Sequence, residues 1–580
     1  MAMLCDRFAG EVLASLRFLV LVYTRPPPLP QAASSGQYMA RDQLIVSCGL
    51  PDDSRRVHLE ALLSLQDAKL AKLERQIICL QKQRDDVQNI VDRYRAVLSS
   101  ARQLPFEVLQ EIFIHCLPGE RNAAMSIREA PLLLGQVCRA WRSVSQCTPR
   151  LWASIHIPIP CALIGDAIPE SRKAASARNE LVKAWLERSG SCPLSISLAE
   201  IFANETSPDF HVLSNAGADV MATLAQFSRR WRRVEFSCSS SAFQTLMAVS
   251  REDVPMLESL SIECIQDRQK EFSKSAFLAP RLRTVRLSHM PGDISDYRLD
   301  WSNITELFVD DHGSSTEREP YVHHKITLPK AWELLSRCQN LVRCTLHIND
   351  RDESALTENA LDPIYLPCLT ELDVTEGLCF LSPLFDCIHA PGLRTFRFAT
   401  SLKRLDHMFS PSKFLSRLSA LKALTLDLTT LSRTHIIECL RWTPTIASLT
   451  LMTPNRGNRQ YVFQDERWKL LPAVCDDSLL ELFVRREETA DTCLCPRLQS
   501  FQCNWNSFTD VTLLRFVKSR TGSAGGLERV AVSFDRAQTV DLKSPLTAAI
   551  AEGLELSVDY PPIVSVSAWE GLRWDCLNRI

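Results

Sequence analysis

Between residues 231 and 532 one pattern keeps returning: an apolar residue at positions 1, 4 and 6 of a short segment, with polar residues between. It reads Trp231-Val234-Phe236, Leu257-Leu260-Ile262, Leu282-Val285-Leu287, Ile304-Leu307-Val309, Leu341-Cys344-Leu346 and Leu369-Leu372-Val374. It continues as Leu393-Phe396-Phe398, Leu421-Leu424-Leu426, Ile446-Leu449-Leu451, Leu498-Phe501-Cys503 and Leu527-Val530-Val532. Alternation at positions 4 and 6 buries one side of a strand. Helix-period stretches such as "SKFLSRLSALK", "RTHIIECLRW" and "DVTLLRFVKSR" fall between the copies. One strand and one helix per step, at just under 30 residues a step, stack into a solenoid with a curved parallel sheet. Pro-x-Leu or Pro-x-x-Leu marks many strand starts ("APRLRTV", "LPCLTEL", "CPRLQSF"). The longest step, Ile446 to Leu498, holds an insert with its own helix, "CDDSLLELFV". A β-sandwich is the competing fold, disfavoured by the interleaved helices.

Two other patterns precede the solenoid. From 59 to 98 a heptad seam runs Leu59, Leu63, Gln66, Leu70, Leu73, Ile77, Leu80, Arg84, Val87, Val91, Tyr94 and Leu98, without proline or glycine. It predicts one long helix, either half of a coiled-coil homodimer through residues 59–98 or folded back on its own chain. Then "LPFEVLQEIFIHCLP" (104–118) predicts a short helix started by Pro105 and stopped by Pro118. Leu109, Ile112, Phe113 and Cys116 form one apolar stripe, with Ile114 on the far side. A second helical segment, "APLLLGQVCRAWRSV", begins at Pro131 with Leu133, Val137 and Trp141 at i, i+4 and i+8. "TPRLWASIHI" then brings a turn and the first extended stretch. So small a helical module, apolar on more than one side, buries little alone and points to a partner.

These residues resemble a known family. Leu104-Pro105-x-Glu107-x-Leu109, Ile112-Phe113, Val137-Cys138-Arg139-x-Trp141-Arg142 and Leu151-Trp152, in that order, are similar to an F-box over roughly 104–157. The connection "PGERNAAMSIREAPLLLG" is longer than in the shortest F-boxes. The resemblance implies a three-helix module docked on a Skp-family adaptor and, through it, on a cullin–RING ubiquitin ligase. It implies adaptor contacts at Leu104, Pro105, Val108, Leu109, Ile112, Val137, Cys138 and Trp141. The repeats resemble leucine-rich repeats, irregular ones. The asparagine that usually follows the last leucine by three residues occurs only as Asn349 and Asn506. Long helix, F-box and degenerate repeats together resemble the expanded F-box families of mushroom-forming fungi. That combination implies a substrate receptor with no catalytic residue and no cofactor, placed in the cytoplasm or nucleus. A non-degradative scaffold is the alternative.

Composition narrows the remaining chemistry. The formal charge of −2 over 580 residues gives no bulk attraction to nucleic acid or membrane. Eighteen glycines fall well below the usual 7% or so, and neither GxGxxG nor GxxxxGK[ST] occurs. HExxH and GxSxG are absent as well. Twenty-one cysteines are scattered without a CxxC pair, and "CLC" at 493–495 has the wrong spacing for zinc, so they read as buried thiols in a reducing compartment. His323-His324 reads as solvent-exposed, and "RRWRR" (229–233) as a core tryptophan with edge arginines, not a nucleic-acid track. The apolar run 11–23 is too short to span a bilayer and is interrupted by Arg17.

The chain is therefore expected to be α/β. Residues 1–55 read as a disordered extension with a second start at Met39, 56–100 as a long helix or coiled coil, and 101–157 as the F-box. Residues 158–230 read as linker and first solenoid cap, and 231–580 as an irregular leucine-rich-repeat domain. Outward strand positions would capture a protein target, with Arg283 and Arg286 as one basic patch and Arg394 and Arg397 as another. Glu371 and Asp373 lie between the patches. Mixed sign suits a protein or peptide better than a phosphate backbone.

Overall fold

The computed structural model describes residues 53–98, 104–160, 168–201, 215–264, 279–290, 294, 297, 299–310, 326–348, 362–376, 381–400, 410–428, 431–452, 474–485, 493–504, 506–521 and 526–561. It divides into two compact units, Met1–Leu151 and Trp152–Ile580. The run 11–23, His323, His324 and Asn349 lie outside the described residues.

In the first unit, α1 (Asp53–Leu98) is one continuous helix of 46 residues. Asp53 in its first turn and Arg95 in its last complement the helix dipole. Its heptad seam faces solvent: nine of the twelve positions are apolar and 48–78% exposed. Next come α2 (Phe106–His115), α3 (Leu134–Val137) and α4 (Arg139–Gln146). Leu109 and Phe113 supply the inward side of α2, and the Phe113 ring meets Trp141 of α4 at 4.8 Å. The segment from Pro131 does not run as one helix. Cys138 is extended (φ −160, ψ 171), and its Sγ accepts the Trp141 N–H at 3.4 Å, capping α4. Arg142 Nε donates to Gly135 O at 2.7 Å and spans the break.

In the second unit fourteen strands form one sheet, laid down in chain order and parallel at every ladder. They are β1 (Ser154–Pro160), β2 (Leu194–Ile201), β3 (Trp231–Cys238), β4 (Ser259–Cys264), β5 (Thr284–Ser288), β6 (Glu306–Asp310) and β7 (Arg343–Ile348). The rest are β8 (Glu371–Glu376), β9 (Thr395–Thr400), β10 (Ala423–Asp427), β11 (Ser448–Met452), β12 (Ser500–Cys503), β13 (Arg529–Ser533) and β14 (Glu555–Asp559). One all-parallel sheet is a repeat-type solenoid layer and rules out the sandwich. Each of the eleven sequence copies coincides with a strand, from β3 to β13. Position 4 forms a single register row: Val234, Leu260, Val285, Leu307, Cys344, Leu372, Phe396, Leu424, Leu449, Phe501 and Val530 are successive partners. All residues at positions 1, 4 and 6 are buried. Each such leucine or phenylalanine contributes roughly 1.5–3 kcal/mol of burial.

The sheet extends beyond the eleven copies at both ends. β1 starts inside the stretch assigned to the F-box, and β2 lies in the stretch assigned to linker and cap. Ile155, Ile157 and Ile159 alternate inward, as do Leu194, Ile196 and Leu198, all buried. The 21-residue helix Ile168–Arg188 between them stretches the step beyond the usual spacing. β14 closes the other end as a half-exposed edge. On the helical side, Leu328–Arg337 buries Ala331, Leu334 and Leu335, and Arg433–Trp442 buries Ile436, Cys439 and Leu440. Asp510–Arg520 buries Leu513, Phe516 and Val517, and the insert supplies Asp477–Glu481. "SKFLSRLSALK" forms only one turn, Ser412–Leu415. None of the described cysteines is disulfide-bonded. Most lie in the core, where burial pushes thiols such as Cys338 and Cys439 up to about 12, but Cys79, Cys147 and Cys368 are exposed.

Candidate functional site

The candidate adaptor residues sit on one small framework, and the framework sorts them. Leu109 faces inward with Phe113 and belongs to the module's own core. Trp141 is half-buried against Phe113, so only part of its ring is available to a partner. Leu104, Ile112 and Cys138 are also half-buried, whereas Pro105, Val108 and Val137 are exposed. The break at Cys138 is what leaves Val137 outside: α3 ends there and α4 starts on a new axis. Phe106, 42% exposed, and Ile127, 64% exposed, add apolar surface that the F-box resemblance does not single out. Arg150 Nη1 donates to Glu111 Oε1 at 2.9 Å, joining the end of the module to α2. Glu129 accepts the Ala124 N–H at 2.5 Å and pairs with Arg121, folding the long connection onto itself.

The outward positions of the sheet form the second candidate surface. Arg283 and Arg286 are exposed, and Arg394 is exposed while Arg397 is half-buried. The two pairs stand four strands apart, about 19 Å at 4.8 Å per strand. Arg286 lies over the Phe308 ring at 4.5 Å. Arg397 pairs with Asp373 at 3.4 Å on the neighbouring strand, so its charge is largely compensated. Among the described residues Arg394 has no such ion pair. It is flanked instead by exposed Lys422, whose N–H bonds the Arg394 carbonyl at 2.8 Å. Lys422 was not among the expected residues, because adjacency across coils is a property of the register. Elsewhere opposite charges face each other across strands: Arg232 with Glu258 at 2.7 Å, Arg343 with Glu306, and Arg529 with Glu555 at 2.6 Å. The face is a ladder of mixed sign. In "RRWRR", Trp231 is core, Arg232 and Arg233 are exposed, and Arg230 donates to the Ser189 hydroxyl (2.8 Å) and the Leu186 carbonyl (3.0 Å).

Two buried charges escape sequence reasoning because their partners are distant in the chain. Asp510 accepts from Arg536 Nη2 (2.7 Å), the Thr539 and Val540 N–H groups (2.7 and 3.0 Å) and the Tyr560 hydroxyl (3.1 Å). Burial pushes its carboxyl up, but Arg536, Thr539 and Val540 outweigh that and hold it well below the usual range. Arg520 donates to the carbonyls of Phe483, Cys495 and Leu494, each at 2.7 Å, pinning the insert to the last long helix. Asn506 Nδ2 donates to Ser533 O at 3.1 Å, one coil-to-coil bond of the asparagine type.

Among the described residues, no group of three or more His, Cys, Asp or Glu side chains is placed to hold a metal ion. Among the same residues no helix is long and apolar enough to cross a membrane. No protein-family model and no curated protein matches the chain. One of the solved structures it is similar to is "Crystal structure of TLR13-ssRNA13 complex", at 13% identity and a TM-score of 0.26. That similarity covers 59% of this chain and 43% of that one, so the chain spans less than half its length.

Proposed function

We propose that this protein is the substrate-recognition subunit of a Skp–cullin–F-box ubiquitin ligase. In this reading residues 104–157 dock on the Skp-family adaptor, and the solenoid presents a protein target to ubiquitin transfer carried out by other subunits. The observation that carries the reading is apolar surface left outside a packed helical module, in an F-box-like order of residues. Phe106, Val108 and Val137 are 42–44% exposed while Leu109 and Phe113 complete the core beneath them. Covering their exposed part would contribute about 1 kcal/mol each to docking. The mixed-sign ladder on the open sheet face suits a protein target.

The test is reconstitution. Proteins captured by the full chain, identified by mass spectrometry, are offered to the assembled ligase with and without residues 104–157. Ubiquitin transfer to a captured protein that needs those residues supports the reading. Adaptor binding without transfer to any captured protein leaves a non-degradative scaffold instead.

A further inference from the structure

The seam of α1 is apolar, long and exposed, and such a helix draws its stability from whatever covers that seam. We propose that the cover is a second copy of α1, running antiparallel along the whole seam, residues 59–98, as a homodimer. The inference is independent of adaptor binding.

Charge placement selects both occupant and direction. Numbering the heptad with Leu63 at a puts Arg84 at an a position, between the layers of Leu80 and Val87. In a parallel pair each a residue faces its own copy, so two guanidinium groups would meet inside the seam. In an antiparallel pair a faces d. Setting Ile77 opposite Leu80 of the second copy then aligns every remaining layer. Leu70 meets Val87, Gln66 meets Val91, Leu63 meets Tyr94, and Leu59 meets Leu98 at the two ends of the seam, with residues 53–58 of each helix extending beyond it. Arg84 now faces Leu73, and its long side chain lies beside Glu74 of the second copy. The e positions add Glu60 against Arg95 at both ends. Each helix thus presents to the other the charges it needs, twice by symmetry. Among the described residues these groups make exposed local pairs, Arg84 with Asp85 at 2.6 Å, Arg56 with Glu60 at 3.1 Å and Arg95 with Asp92 at 3.6 Å. Exposed pairs of this kind are readily exchanged.

Sedimentation of the full chain measures the state, and genetically encoded spin labels measure the direction. A dimer is expected, with labels at Ala61 about 50 Å apart and labels at Lys82 about 10 Å apart along the axis. Leu73→Asp with Leu80→Asp should abolish the dimer. Arg84→Glu should weaken it at least tenfold, and adding Glu74→Arg should restore it, a rescue that the ten-residue separation, about 15 Å along the axis, forbids within one helix. A monomeric full chain, a dimer indifferent to Leu73→Asp with Leu80→Asp, or close labels at Ala61 would overturn the proposal.

Discussion

Leu424→Asp tests the solenoid at its centre. Leu424 is buried in β10, in register between Phe396 and Leu449, and its neighbour Thr425 points to the open face between Arg397 and Thr450. Removing the leucine side chain from a packed core costs about 2–5 kcal/mol. Leaving a carboxyl without partners there costs roughly 1–3 kcal/mol more. A loss of about 3–8 kcal/mol is comparable to the entire 5–15 kcal/mol that stabilises an ordinary domain. Coils of a solenoid lean on their neighbours, so the damage should spread outward from β10. Thr425→Asp places the same group beside Arg397 in solvent and should cost under about 1 kcal/mol. Urea unfolding followed by circular dichroism gives the magnitudes, and amide hydrogen exchange locates the loss. Equal destabilisation by the two substitutions would refute the assignment of inward and outward positions.

Three further outcomes follow from named contacts. Asp510→Ala should cost about 3–5 kcal/mol by leaving Arg536 unpaired and the turn at Thr539 untied, read as a lower urea midpoint. Because the Asp510 carboxyl is held below its ordinary range, its contribution is present above that range and lost as pH falls through its folded value; Asp510→Asn should flatten this acid limb of the Tm profile. Glu200 is buried and accepts from the Ser239 N–H (3.1 Å) and hydroxyl (3.3 Å); burial pushes its carboxyl up, only partly offset by Ser239. Stability should therefore fall as pH rises from the ordinary glutamate range through that raised value, and Glu200→Gln should remove the slope; Gly217→Ala, whose methyl would overlap Glu200 Oε1, should cost about 1–3 kcal/mol in thermal unfolding. Charge reversal at Arg394 and Arg397 should weaken target capture without changing adaptor binding, with Arg394→Glu the stronger because Arg397 is already paired with Asp373. Unchanged captured proteins would reduce that patch to a solvated surface.

The repeats were legible because a strand with one buried side alternates with period two, and every copy carried that alternation. β1 and β2 carry it as well, but the helix Ile168–Arg188 lengthens their step, and a search by spacing begins at Trp231. β14 is an edge; its half-exposed Leu556 and Val558 keep the spacing, but Gly553 stands where the pattern needs an apolar residue at position 1. The apolar surplus of 104–141 was also legible. Which of those residues face inward was not, because helical spacing carried across Cys138 assumes one axis where there are two. Pairings such as Arg397 with Asp373, or Asp510 with Tyr560, depend on register and on contacts 24 to 50 residues apart. No local pattern encodes them.

The most direct test of the central claim is calorimetric titration of the full-length chain with a purified Skp-family adaptor, in parallel with the Leu104→Ala, Pro105→Ala double variant. The account predicts saturable binding at one adaptor per chain, abolished in the double variant while its circular dichroism and unfolding of the solenoid stay unchanged. No binding by the unaltered chain, or undiminished binding by the double variant, would contradict it.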